Sequence, residues 1–167
     1  MKCEEVSIMS RKTKYIIIFI GSFLVILTLV YIFSLSFKES ISIDMEQLDN
    51  SFKEKGDFNL SNMKDIDNDF LTNELKIEPN NLETYIGKVP LISISSSMYF
   101  VAKATSEESE EYILEKLEEF SNSYEEYWST YLLSEHTIVK NRKVGKRGKY
   151  VYLLVVENSD ELEKYIN

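Results

Sequence analysis

Few residues in this chain have types and spacings that could do chemistry. The stretch "KNRKVGKRGKY", residues 140–150, gathers six cations within ten positions: Lys140, Arg142, Lys143, Lys146, Arg147 and Lys149. The chain of 167 residues carries a net charge of −9, so the cluster is out of character with its surroundings. Gathered ammonium and guanidinium groups attract phosphate and carboxylate, which makes these six the candidate anion-binding residues. Gly145-Lys146-Arg147-Gly148 also has the GxxG pattern of a KH-type nucleic-acid clamp. That clamp joins two helices, whereas the segments on either side here read as strands. The plainer account is a solvated hairpin. Its cations would discourage strand-to-strand association and screen the acidic segment 107–126.

Other chemistry is harder to assemble. "DIDND" (65–69) begins like a calcium loop, but the sixth position is Phe70 instead of Gly and the twelfth is Lys76 instead of Glu. An acidic start to a helix accounts for it better. His136 is the only histidine, and Cys3, the only cysteine, precedes a long apolar run. Zinc sites of the usual kinds and serine–histidine triads therefore lack their parts. Carboxylates are abundant enough for glycosidic cleavage, but abundance does not place two of them across a cleft. No catalytic residue, cofactor or metal is expected. Tyr124, Tyr127, Trp128 and Tyr131 either line a ligand groove or belong to the core, and their helical spacing favours the core. Asn59-Leu60-Ser61 has the pattern of a glycosylation sequon.

The elements that position these groups begin with a membrane segment. Residues 15–37, "YIIIFIGSFLVILTLVYIFSLSF", contain no charge. Such a helix, rising about 1.5 Å per residue, spans the ~30 Å hydrocarbon core. A cleaved signal peptide would have an apolar region of about 7–15 residues and a small-x-small site. Ser34-Leu35-Ser36 is a poor one between Phe33 and Phe37. Lys2, Arg11, Lys12 and Lys14 precede the run and Lys38 alone follows it closely, so the amino end is expected in the cytoplasm and the rest outside. The expected divisions are a cytoplasmic tail 1–14, a transmembrane helix 15–37, a tether 38–43 and an extracytoplasmic domain 44–167. Residues 40–167 hold 14 basic and 25 acidic residues, a net of −11.

Within the domain, Asp44 and Gln47 form a capping-box pattern for a helix with Met45, Leu48 and Phe52 on one face, stopped at Gly56. A second helix is expected over 67–75. Strands are expected at 85–95 and at "MYFVAKA" (98–104). Thr105 and Glu108 then open a helix whose apolar face is Ile113, Leu117, Phe120, Tyr124, Tyr127 and Tyr131. "TIVKNRK" and "KYVYLLVV" read as two strands joined by Val144–Gly148, and Ser159–Ile166 as a last helix. The expected fold is α+β: a single transmembrane helix, then helices packed on an antiparallel sheet of about four strands.

The acidic "ELKIEPNNLETY", the strand "MYFVAKA", an acidic helix ending "YWSTYLLSE" and a glycine-bearing hairpin before "YVYLLVV" occur in an order that resembles a bacterial family, domain of unknown function 4358. The resemblance covers about three quarters of the chain. It implies a small anchored extracytoplasmic protein of a Gram-positive bacterium, with no known activity and hence no catalytic residues to carry over. A lipoprotein-type cysteine is absent, which leaves the helix as the anchor. The resulting expectation is a non-catalytic binding or accessory module at the cell envelope. Its partner would be an envelope protein or an anionic polymer, with no nucleic acid. An envelope hydrolase using carboxylates in a cleft, or a polyanion sensor using the basic hairpin 140–149, are the alternatives.

Overall fold

Residues 11–36 and 42–166 are described by a computed structural model, in which the chain divides into a first unit, Met1–Ser40, and a second, Ile41–Asn167. Residues 1–10 of the expected tail and 37–41, which hold most of the expected tether, lie outside the described residues, as do Lys2, Cys3 and Lys38.

The first unit contains one helix, α1 (Arg11–Ser36). Its side chains are described at Tyr15 and over residues 19–31, and every one of those is exposed, including Phe19, Phe23, Leu24 and Ile26. The polar side chains among them turn back on the helix: Ser22 Oγ donates to the Phe19 carbonyl (2.9 Å) and Thr28 Oγ1 to that of Val25 (2.8 Å). Among the described residues no helix is long and apolar enough to cross a membrane, so the expected transmembrane span at 15–37 is not supported by them.

The second unit is α+β. Its elements are α2 (Met45–Lys55), β1 (Met63–Asp65), β2 (Leu82–Pro90), β3 (Met98–Ala104), α3 (Glu107–Tyr131), α4 (Leu133–Lys140), β4 (Lys143–Arg147), β5 (Tyr150–Val155) and α5 (Ser159–Glu163). The five strands form one antiparallel sheet in the order β1-β2-β3-β5-β4. Helices cover both faces, which is why β5, and β3 except for Lys103, are apolar and do not alternate. Phe100, Ala102, Leu153 and Val155 face α3 and α4, meeting Ile113, Leu117, Trp128 and Val139. Tyr99, Val101, Tyr152 and Leu154 face the other way, against Leu48 and Phe52 of α2 and Leu162 and Ile166 at the carboxyl end.

The local signals explain most of these elements. Asp44 caps α2, accepting from the amides of Glu46 (3.0 Å) and Gln47 (3.1 Å), and the Gly56 amide closes it on the Phe52 carbonyl. The cap of α3 is Ser106, one residue later than the Thr105 pattern suggests; its side chain accepts from the Ser109 amide (3.1 Å). Gly148 turns the β4–β5 hairpin with φ 54°, a value only glycine adopts without cost.

Four expectations are corrected. The strand expected at 85–95 starts three residues earlier, at Leu82, and stops at Pro90, which has no amide to donate to the ladder; Ile92 and Ile94 sit exposed in the loop beyond. "TIVKNRK" is not a strand through its length. Residues 137–140 finish α4, because helical spacing sinks Val139 into the core while Ile138 packs beside it, and only Lys143 belongs to a strand. The Val144–Gly148 loop is therefore mostly strand, with the turn at Gly148-Lys149. The sheet has five strands instead of four, since the three-residue β1 is too short to show a period. The helix expected over 67–75 does form: residues 68–69 are α-helical, with the Leu71 amide on the Asp67 carbonyl (3.0 Å), and the helix then widens into a π-helical turn, Phe70–Glu74, in which the Leu75 amide reaches the Phe70 carbonyl (3.1 Å). It ends at Lys76, held at φ 57°.

Candidate functional site

The end of the long helix α3, 25 residues in all, builds the most distinctive surface. Ile113, Leu117 and Trp128 are buried, and Phe120 and Tyr124 are half-buried, but Tyr127 and Tyr131 point outward and stack on each other with centroids 5.7 Å apart. Trp128 meets both edge-on, at 5.4 and 5.5 Å. The apolar face read from the sequence is thus core for its first part and open surface at its end. Leu132, in extended conformation, breaks α3 from α4 and leaves Leu132 and Leu133 exposed beside Tyr131.

The loop between β2 and β3 is pinned to this junction. Ser96 is fully buried; its amide and its hydroxyl both donate to Glu135 Oε2, at 2.7 and 2.8 Å, and its carbonyl accepts from the Tyr124 hydroxyl at 3.1 Å. Burial pushes the Tyr124 phenol up to about 12. The clamp brings Leu91, Ile92 and Ile94 to the same end of the domain as the helix junction. The seven apolar side chains of the two segments are 39–78% exposed. Among the described residues the Trp128 indole N–H is the one buried side-chain polar atom without a hydrogen-bond acceptor.

A shallow groove of about 460 Å³ leads away from Tyr127 between α3 and the π-helical turn. Phe120, Tyr124 and Tyr127 line it, with Lys76, Glu74, Lys116 and Glu119 at its margins. Lys116 is held by Glu119 (2.7 Å), which raises the lysine above its ordinary range. Glu74 and Glu119 are both exposed.

The six candidate anion-binding residues are spread over the end of α4, β4 and the hairpin, and most are already engaged. Arg142 binds Glu125 and the Asn122 side-chain oxygen (2.8 Å). Lys143 meets Asp160, Lys146 meets Glu111, and Lys149 is 3.8 Å from Glu83. Arg147 donates to the Ile166 carbonyl (3.1 Å). Only Lys140 has no such partner among the described residues. Arg142 holds the Glu125 carboxyl below its usual range, with His136 a further 3.8 Å away. His136 lies in α4. At the calcium-like stretch, Asp67 accepts from the Phe70 amide (2.8 Å), the cap expected of an acidic helix start, and Asp65 pairs with Lys88 (2.6 Å). Among the described residues no group of three His, Cys, Asp or Glu side chains is placed to hold a metal.

The sequence model of a family described as domain of unknown function (DUF4358) matches residues 55–156, from the end of α2 through β5. The chain belongs to that family. The DUF4358 match takes in the sheet, α3, α4 and the whole apolar end, whereas nearly all of α2 and all of α5 fall outside it. No curated protein and no solved structure matches the chain. Sequence reasoning misses the exposed end: Ile92 and Ile94 read as part of a strand, and Leu132 and Leu133 as the tail of the acidic helix. Leu132-Leu133 directly after Tyr127 and Tyr131, two aromatic positions at the end of a long amphipathic face, is the available signal.

Proposed function

We propose that this DUF4358 protein is a membrane-anchored binding or accessory module that works without catalysis, through the apolar end of its domain. The exposed apolar end carries the reading. Side chains of this size, about half exposed, leave on the order of 500 Å² of apolar surface in water. The largest patch on an ordinary monomer is ~300–600 Å² and is often functional. Burying it contributes up to about 12 kcal/mol at ~25 cal/mol per Å², against an association cost of ~4–15 kcal/mol. That balance suits a reversible partner.

The anchor reading rests on the uncharged run 15–37, the cations preceding it, the exposure of every described side chain in 19–31, and hydroxyls that satisfy themselves within α1. In this reading the N-terminus is cytoplasmic and the domain extracytoplasmic, at the cell envelope. The basic hairpin then has a structural role, since five of its six cations are bound to acids or a carbonyl of the same domain. A hydrolase would need one carboxyl kept protonated by burial. The two acids flanking the groove, Glu74 and Glu119, are exposed.

Three experiments test the proposal. Protease digestion of intact protoplasts, with a tag at the carboxyl end, should remove the tag from full-length anchored chain; protection until lysis overturns the topology. Exchange of Leu133 for a photoreactive residue should yield a discrete crosslinked species in cells. Turnover of a substrate by the purified protein overturns the non-catalytic reading.

A further inference from the structure

We propose that the apolar end docks a basic amphipathic segment of a partner protein, a proposal that rests on the docking reading above. The apolar surface says that something is covered there; the charge around it decides what. Helix α3 carries nine acids and a single lysine. Glu115, Glu118, Glu119 and Glu126 recur at helical spacing, so they form a stripe along its outer side that ends one residue before Tyr127. Lys116 neutralises only Glu119 of these. At the same end of the sheet, exposed Glu157 follows Val156, just past the Met98–Val155 pair.

Three occupants are conceivable, and charge separates them. A second copy would bring together two domains of net −11, which repel at low salt. An anionic lipid surface would meet the same acids with its phosphates. A segment bearing apolar residues on one face and Lys or Arg on the other complements both features, with electrostatics raising its rate of encounter. The chain itself enters the domain beside the hairpin, where the Ile43 amide donates to the Tyr150 hydroxyl (2.9 Å). Tyr150 and Met98 lie at opposite ends of the β3–β5 pairing, so the entry point leaves the apolar end clear.

The test uses the full chain in nanodiscs of zwitterionic lipid. The probe is a dye-labelled amphipathic peptide built of Leu and Lys at helical spacing; its counterpart has Glu in place of Lys. Anisotropy should show micromolar binding of the Leu/Lys peptide above that of empty nanodiscs. Binding should weaken severalfold between about 50 and 500 mM salt and fall ~10-fold or more in the double variant Ile94→Ser, Leu133→Ser. Both positions are exposed, so the variant retains its core, and Tyr131→Ser gives an independent check. Equal binding of the Leu/Glu peptide, or no loss in either variant, overturns the inference. So does a concentration-dependent dimer that the double variant abolishes, which makes a second copy the occupant. If neither peptide binds while the photoreactive Leu133 still captures a partner, the docking reading stands and the basic-segment inference falls. If both fail, both fall.

Discussion

Replacing Glu135 with Ala should unfasten the loop that carries Leu91, Ile92 and Ile94. One carboxylate oxygen accepts both the amide and the hydroxyl of Ser96, a residue with no solvent exposure. Hydrogen bonds to a charged acceptor are worth ~1.5–3 kcal/mol each, and a buried donor left unmatched costs ~1–3 kcal/mol. Water reaching the half-buried carboxylate position recovers part of this, so the expected loss is about 3 kcal/mol, a large share of a ~5–15 kcal/mol total. Glu135→Gln keeps an acceptor oxygen and should cost about 1 kcal/mol. Trp128, the only tryptophan and 2% exposed, reports unfolding in urea through the red shift of its emission. A double-mutant cycle with Ser96→Ala should give a coupling above ~1 kcal/mol. If Glu135→Ala stays within ~0.5 kcal/mol of the parent, as an ordinary surface substitution does, the clamp does not hold the loop and the reasoning fails.

Three further outcomes follow from single sites. Burial first, and then its hydrogen bond to Asp49 (2.6 Å), push the Tyr99 phenol well above its ordinary range. The neutral form is favoured by folding, so this stability is complete below about pH 10 and is lost as pH rises past it; Tyr99→Phe should make the alkaline fall in urea midpoint shallower. A Cβ at Gly87 would meet the Tyr99 carbonyl oxygen at 2.8 Å and Ile66 Cδ1 at 2.7 Å, and the backbone atom cannot yield, so Gly87→Ala should cost about 2–3 kcal/mol in the same assay. Lys76→Gly should stabilise by about 1 kcal/mol, since a left-handed residue with a side chain costs ~1–2 kcal/mol and added freedom of the unfolded chain returns ~0.4–1 kcal/mol of that.

What the sequence made legible were elements with a strong local cause. Asp44 and Gly56 bound α2 as their types suggest, the apolar runs 98–102 of β3 and 150–155 of β5 mark strands covered on both faces, and Ile113 and Leu117 lie in the core. Where tertiary context outweighed local preference, the reading slipped. Thr137, Ile138 and Val139 favour a strand by type, yet α4 buries Val139 through helical spacing. Ile92 and Ile94 alternate like strand residues, but Pro90 ends the ladder before them. The basic run was conspicuous in sequence because its partners Glu83, Glu111, Glu125 and Asp160 lie far along the chain. The apolar end was silent for the same reason: its two halves are tied at Ser96, by Glu135 and Tyr124, far along the chain.

The central claim is that the domain works through that end. The most direct measurement places a photoreactive residue in turn at Ile94, Leu133 and, as a control across the domain, Lys149, in the full-length protein in its host membranes. The account predicts one and the same adduct from Ile94 and Leu133, none from Lys149, and loss of the Ile94 adduct when Glu135→Ala is added. An adduct from Lys149 with none from the other two would contradict it.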